Sequence, residues 1–338
     1  MPDPRVTVIV PTLAADDMLA DCLRSLDQQT LRDFEIIVVD NSGDGRASRI
    51  QGVRERAAQI IENDRNVGFG AAVNQGIRAS RSPFIATLND DAVAHPRFLE
   101  AMLAAAEARR EIGMCAPQIR LFGTEQLDSA GMVICRDGSA KQRGHREPAA
   151  RFSLQQQVLM PSGCAALYRR EMLDEIGLFD ESFFLYCEDA DLGLRARWRL
   201  WECMYTPDAV VEHRYSRSSG AASPLKAWYV ERNRHFLLVK NFPARDLALA
   251  PWFALARYFW HAVDLAAGDG KAAEFRAGGR NPLALIAYVA RAHWEVARHL
   301  PRLLRHRREI QKRGRLNARQ FHRMLLSYSI TPRQVASL

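Results

Sequence analysis

The chain of 338 residues reads as an α/β protein, a mostly parallel sheet flanked by helices, with a helical C-terminal extension. Three observations predict this. Continuous apolar strands alternate with helical stretches through the first hundred residues, the pattern of a parallel sheet covered on both faces. One strand-like run, Phe84 to Leu88, ends in Asn89-Asp90-Asp91, which sets hard oxygen ligands on the sheet rim where open α/β folds bind their ligands. After His213 the composition turns helical and basic.

The elements follow in order. Val6 to Pro11 is a β-branched run and predicts the first strand, and Asp16 to Gln28 has helical periodicity. Phe34 to Asp40 predicts a second strand, closed by the turn sequence Asn41-Ser42-Gly43-Asp44-Gly45. Gln59 to Glu62 is a short third strand, Gly70 to Ser80 a helix, Phe84 to Leu88 the fourth strand and Pro96 to Arg110 another helix. From Gly113 to Ala150 the pattern loosens, with turn signals at Gly123, Gly131, Gly138 and Gly144, so hairpins and a mobile loop are expected there. A strand is predicted over Cys164 to Tyr168, and a helix from near Glu188 towards Arg199. Leu247 to Leu265 is rich in Ala, Leu and aromatics but broken by Pro251, Arg257, His261 and Asp264; Pro282 to Ala290 is a second apolar run that continues into an Arg-rich helix. Neither run reaches the roughly 18 to 20 uninterrupted apolar residues of a bilayer span.

Hydrophobic content of 48% and charged content of 25% are ordinary for a globular protein. Six scattered cysteines with no CxxC pair fit reduced, buried thiols in a cytosolic protein. The N-terminus Met1-Pro2-Asp3-Pro4-Arg5 has neither the basic nor the apolar region of a signal peptide, so a cytoplasmic location is expected. The charge is uneven: Arg291 to Leu338 holds twelve Lys/Arg against Glu295 and Glu309, in a chain of net +8. A nearly neutral body with a cationic tail argues against a nucleic-acid binder and for a tail that meets something anionic. Trp252, Phe253, Tyr258, Phe259 and Trp260 precede the Arg-rich helix. That pattern suits a surface lying on the anionic inner face of the cytoplasmic membrane. The competing reading packs these apolar faces on the main domain or a second subunit, as a homo-oligomer would, with solvated arginines.

Several groups of residues carry candidate chemistry. Carboxylates at Asp90 and Asp91 beside Asn89 suit Mg²⁺ or Mn²⁺, although strand-to-loop junctions are often polar. Pro11 and Thr12 end the first strand and Asp40 ends the second, so they face one crevice. Asp40 either initiates its turn or accepts from a base NH or sugar hydroxyls. The stretch from Asn66 through Gly68 to Asn74 puts small residues at a helix start, suited to close ligand approach or to close helix–sheet packing. Glu188, Asp189 and Asp191 crowd a helix start after the aromatic run Phe183 to Tyr186; dipole stabilisation and an Asp191–Arg195 pair account for part of this. Crowded carboxylates against apolar walls also raise one another's pKa and make a usable base. His213 is either a structural histidine or a metal ligand.

These pieces occur in one order, and the chain resembles the family two glycosyltransferases. The resemblance rests on VTVIVPT, VVVDNSGDG, NVGFGAAVNQGI, TLNDDA, SGCAALYRREMLDEIGLFDESFFLYCEDADLGLRAR and PDAVVEHRYSRSSG, which span Val6 to Gly220. Within that family the chain looks most like bacterial rhamnosyltransferases of cell-surface polysaccharide assembly. The resemblance implies a GT-A type, Rossmann-like catalytic domain over residues 1–222, with a nucleotide-sugar half to about 112 and an acceptor half from 113. Residues 223–338 would form the helical, basic region. It implies that Thr12 and Asp40 hold the nucleoside with Asn66 and Gly68, and that Asp91, with Asp90 nearby, takes the metal–diphosphate position. Asp189 matches the catalytic base with Glu188 as neighbour, and His213 completes the metal site. The donor would be a nucleotide-diphosphate sugar, dTDP-rhamnose first and a UDP-sugar second, and the acceptor a saccharide or a lipid-linked one. Two departures stand out. Asn89 replaces the first carboxylate of the family's Asp-x-Asp pattern, and Leu200 replaces a glycine in the turn after the carboxylate helix, so a different local turn is expected. A sugar nucleotidyltransferase would need a Gly-rich loop with Arg and Lys where Pro11 to Ala15 stands. A non-catalytic scaffold would not need Asp91, Asp189 and His213 intact.

Overall fold

A computed structural model describes residues 3–14, 17–214, 224–268 and 284–337. The strands are β1 Val6–Thr12, β2 Phe34–Asp40, β3 Gln59–Glu62, β4 Phe84–Leu88, β5 Ala92–Ala94, β6 Ile112–Leu121, β7 Leu127–Ser129, β8 Met132–Cys135, β9 Ala140–Gln142, β10 Gln156–Val158, β11 Ala165–Arg169, β12 Glu202–His213 and β13 Ser329–Ile330. The helices, in chain order, are α1 Met18–Asp27, α2 Val53–Arg56, α3 Phe69–Ala79, α4 Phe98–Glu107, α5 Arg170–Ile176, α6 Glu188–Trp198, α7 Pro224–Asn241, α8 Ala244–Ala267, α9 Ala284–Arg313, α10 Ala318–Ser327 and α11 Pro332–Ser337.

The main sheet runs β10-β12-β6-β11-β4-β1-β2-β3, with β5 on β12 and β7 on β6. Strands β3, β2, β1 and β4 are parallel, and the apolar runs within β1, β2 and β4 suit that buried arrangement. The antiparallel β11 joins them to the parallel pair β6 and β12. Apolar side chains alternate to both faces. Val8, Val10, Val38 and Leu88 pack with α1 and α4 residues such as Leu23 and Met102. Ile9, Ile37, Ile85 and Tyr168 pack with α3 and α6 residues such as Val73 and Leu192. Gly76 permits the α3 contact, because a Cβ there would come within 2.7 Å of Ile9.

The loose pattern after Gly113 conceals a ten-residue strand, β6, in the middle of the sheet. Its Gly113, Pro117 and Gln118 break the apolar alternation that marks the other strands. Gly123, Gly131, Gly138 and Gly144 all take positive φ, and Gly123 and Gly138 lie in hairpins, β6–β7 and β8–β9. His213 is the last residue of β12. Leu200 keeps the turn that its missing glycine was expected to alter. It takes φ +70°, Trp201 N donates to the Ala196 carbonyl, and Leu200 N donates to the Arg197 carbonyl. This is the left-handed helix ending usually filled by glycine.

The chain divides into two compact units: residues 1–132, 142–196 and 201–217, and residues 133–141, 197–200 and 218–338. The expected boundary at 222 falls outside the described residues, as do Asp16, Pro282 and the tail of the last motif beyond Arg214. In the second unit α7 packs along α9, and α8 against α11. Trp198 stacks on Phe321 at 4.0 Å and donates Nε1 to the Asn241 carbonyl. Buried Arg257 bridges Asp137 at 2.6 Å and Glu231 at 3.0 Å. Pro251 lies within α8 without ending it. No helix among the described residues is long and apolar enough to cross a membrane. None of the six cysteines forms a disulfide; five are buried and Cys187 is half-buried.

Candidate active site

Sheet register brings the carboxylate turn and the late histidine together. Asn89-Asp90-Asp91 follow β4, β5 begins at Ala92, and β5 pairs antiparallel with the end of β12, setting His213 opposite Ala92. Asp91 is buried, and its Oδ1 lies 3.2 Å from His213 Nε2. That oxygen makes no hydrogen bond, although it is shielded from solvent. A buried carboxylate oxygen facing a ring nitrogen suits a divalent cation, which takes both as ligands. Two protein ligands of this kind fit a site whose other oxygens come from a diphosphate. No group of three or more His, Cys, Asp or Glu side chains forms a complete metal cage among the described residues.

His213 Nδ1 lies 2.8 Å from Asp128 Oδ2, on β7. Burial works against the imidazolium, but Cys164, Asp128 and Asp91 outweigh it and raise the histidine's pKa well above 6.5. Burial likewise opposes ionisation of Asp128, yet hydrogen bonds from His145 and His213 hold its pKa below 3.8. Asp128 and His145 are absent from the sequence reading. A single Asp in a three-residue strand within a loosely patterned stretch gives no local signal. Arg214 donates its backbone N to the Asp91 carbonyl at 3.1 Å and its guanidinium to Asp21 at 2.7 Å.

The second acidic cluster reaches the same rim through one short segment. Asn89 N donates to the Cys164 carbonyl, while Gly163 N donates to Asp189 Oδ2, each at 2.8 Å. Two consecutive residues thus tie the carboxylate turn to the helix that carries Asp189. Glu188 is buried with Oε2 unbonded. Burial first, then the neighbouring Asp189 charge, pushes its pKa up to about 8. Burial also raises that of Asp189, against the backbone N–H groups of Gly163 and Ala190. The pair therefore divides its roles. The anion favours Asp189, which accepts two backbone hydrogen bonds, and the proton favours Glu188. The Tyr168 hydroxyl is buried near both. Phe184, Tyr186 and Cys187, just before Glu188, all have positive φ of 62–69°, a concentration of backbone strain of the kind kept at functional sites. Asp191, by contrast, pairs with Arg195 at 2.9 Å, and Arg195 clamps the 176–178 carbonyls.

The remaining expected positions line the other end of the rim. Gly68 opens α3 with φ +89°, and Phe69 N donates to the Phe184 carbonyl at 2.8 Å. Asn66 is exposed and accepts from Gly68 N. Asn89 and Asp90 are half-buried, and Thr12 Oγ1 donates to Asp90 Oδ2 at 2.5 Å while accepting from Ala14 N. Three side chains have partners within the protein. Asp40 is fully buried and spends its two oxygens on Ser42 N and Ala47 N, the turn-initiating role. Asn74 is bound to both the N–H and carbonyl of Phe179 and to Glu181. Thr12 is buried, its hydroxyl already engaged. Pro11 is a buried strand residue.

The mixed sheet flanked by helices is the arrangement of the GT-A fold class, and its rim carries the carboxylate–histidine pair and the raised-pKa carboxylate. The family profile described as "Glycosyl transferase family 2" matches residues 7–177. The chain belongs to that family and is a glycosyltransferase. Glu188, Asp189 and His213 lie beyond the matched span. The chain is 27% identical over 236 residues to the N-acetylglucosaminyl-diphospho-decaprenol L-rhamnosyltransferase of Mycobacterium tuberculosis (strain CDC 1551 / Oshkosh), covering 63% of this chain and 77% of that protein. Among solved structures it resembles GalNAc-T7 with UDP, GalNAc and Mn²⁺, at TM-score 0.59 and 13% identity, over 88% of this chain and 58% of that one. It also resembles the Pyrobaculum calidifontis mannosyltransferase PcManGT in complex with GDP-Man and Mn²⁺, at TM-score 0.51 and 19% identity, over 92% and 86%. Identities this low speak for the fold alone.

Proposed function

We propose that this glycosyltransferase is metal-dependent and inverting, and that it moves rhamnose or a similar sugar from a nucleotide-diphosphate donor to a saccharide or lipid-linked acceptor in cell-surface polysaccharide synthesis. The observation that carries the reading is the Gly163–Cys164 bridge, which joins the Asp91–His213 pair to Asp189. The rhamnosyl choice is supported by the mycobacterial relative, and the cation by the Mn²⁺ in two fold neighbours.

Asp91 and His213 would hold Mg²⁺ or Mn²⁺, which when bound supplies charge neutralisation for the departing nucleoside diphosphate. The nucleoside would lie over the ends of β1 and β2 beside Asn66 and Gly68, with Asn89 and Asp90 towards the sugar. Asp189 takes the proton of the acceptor hydroxyl as that oxygen bonds to the anomeric carbon. The bond from that carbon to the diphosphate oxygen breaks on the opposite face. One displacement inverts the configuration without a covalent glycosyl-enzyme. Glu188, protonated beside it, leaves Asp189 as the single charge of the pair.

General-base assistance is worth about 10²–10⁴-fold. Asp189→Asn therefore lowers transfer by that order while nucleotide-sugar binding persists, and wild-type turnover in this variant would refute the base. Undiminished turnover in EDTA would remove the cation from the scheme. Thermal shift with nucleotide sugars and Mg²⁺ or Mn²⁺, dTDP-rhamnose first, identifies the donor.

The membrane reading acquires a particular face. Trp252, Leu255, Phe259 and Val263 are exposed on α8, at 70%, 57%, 60% and 40%, and their spacing aligns them on one stripe. Phe253, Tyr258 and Trp260 are half-buried and pack against Arg136, Arg257 and Arg333. The exposed stripe would rest on the anionic inner leaflet and bring lipid-linked acceptors within reach.

A further inference from the structure

We propose that Asp128 is a positioning residue of the metal site: it accepts the Nδ1 proton of His213, aims the Nε2 lone pair at the position shared with Asp91, and is itself held by His145. This rests on the metal reading above. An imidazole binds a metal through a nitrogen that carries no proton. The partner of the other nitrogen therefore sets the tautomer, the ring orientation and the basicity of the ligand. Asp128 Oδ2 lies 2.8 Å from His213 Nδ1, and on the far side of the ring Nε2 lies 3.2 Å from Asp91 Oδ1. The three groups lie in sequence, carboxylate, imidazole, carboxylate, and Asp91 Oδ1 is a shielded oxygen that faces the ring without a hydrogen bond.

The support of Asp128 is itself built. The residue is 2% exposed at the centre of β7, which is pinned to β6 through Ile119–Ser129 and Arg120–Leu127. The Ser129 hydroxyl donates to the Gly131 carbonyl at 2.7 Å and fixes the strand end. Half-buried His145 sets Nδ1 3.1 Å from the Asp128 carbonyl and 3.3 Å from Oδ1. A backbone hydrogen bond and a side-chain contact from the same ring thus hold both ends of the aspartate. Burying a carboxylate between two imidazoles is costly unless the pairing does something, and here it orders a ring whose other nitrogen faces the candidate cation.

The test is Mn²⁺ affinity, read from the free-ion EPR signal with inorganic pyrophosphate present, on full-length protein whose folding is checked by circular dichroism. Asp128→Ala is expected to weaken Mn²⁺ binding 10- to 100-fold. Asp128→Asn, which keeps an acceptor for Nδ1–H, is expected to weaken it less, and His145→Ala less than Asp128→Ala. In a His213→Ala background, Asp128→Ala is expected to add no further loss, because its effect passes through that ring. A purely structural role would instead lower affinity equally in both backgrounds, and that result overturns the proposal. So would Asp128→Ala and Asp128→Asn binding Mn²⁺ as the wild type does. A wild type that binds no Mn²⁺ overturns the metal reading, and this proposal with it.

Discussion

At the scale of single residues, the Glu188–Asp189 pair concentrates the chemistry. Burial raises both pKa values, but Gly163 N and Ala190 N stabilise only the Asp189 anion. The acid limb of the pH–rate profile should therefore fall above the ordinary aspartate value of 3.8; a limb at or below that value would contradict the assignment. Stability follows with a definite sign. Glu188 has a pKa of about 8 in the folded state against 4.5 as a free group, so between these values the folded chain holds a proton that the unfolded chain has released. Its contribution is greatest below pH 4.5 and is lost as pH rises towards 8, with a slope of up to about 1.4 kcal/mol per pH unit. Thermal unfolding measured from pH 5 to 8 should show this decline, and Glu188→Gln should flatten it. An unchanged slope in the variant would place the proton elsewhere. Asp189 was legible because its helix start held more acids than a dipole needs. The commitments of Asp40 and Asn74 were not, because a turn carboxylate and a ligand-binding carboxylate look alike until their hydrogen bonds are seen.

At the scale of elements, two backbone positions decide how the site is held. Gly68 has φ +89°, and a Cβ there would stand 2.4 Å from the Phe184 carbonyl oxygen, a backbone atom that cannot rotate away. Gly68→Ala should push the strained 184–187 segment off α3, lowering both melting temperature and transfer rate; wild-type values for both would show that this contact positions nothing. Leu200 tests the opposite sign. It holds a left-handed helix ending at a cost of about 1–2 kcal/mol for a residue with a Cβ, and its side chain is half exposed. Leu200→Gly should raise the melting temperature, unless the freedom gained by the unfolded chain cancels the relief; a clear fall would mean the side chain packs more than its exposure indicates. Strands β1, β2 and β4 were readable because each carries a continuous apolar run that is buried in the sheet. Strand β6 was not, because Gly113, Pro117, Gln118 and Arg120 interrupt its pattern while its neighbours in the sheet still bury it.

At the scale of the whole molecule, the basic helical region and the transferase unit have separate tests. Vesicles containing anionic lipid should carry the protein upward in flotation at low salt, and less so as salt rises. Trp252→Glu with Phe259→Glu should abolish flotation without slowing transfer to a water-soluble acceptor. No bound fraction at low salt would return the α8 stripe to protein packing. The family and the order of its motifs were legible in the sequence from Val6 to Gly220. The meeting of Asp91 with His213 was implied by the family resemblance alone, since no local pattern announces β5 pairing with β12 across more than a hundred residues. Their meeting is the claim on which the proposed chemistry depends. Anomalous diffraction from crystals grown with Mn²⁺ and a nucleoside diphosphate tests it most directly. The expected map has one manganese peak in contact with Asp91 Oδ1 and His213 Nε2, on the rim that also carries Asp189; a peak bound elsewhere, with neither residue as ligand, would contradict it.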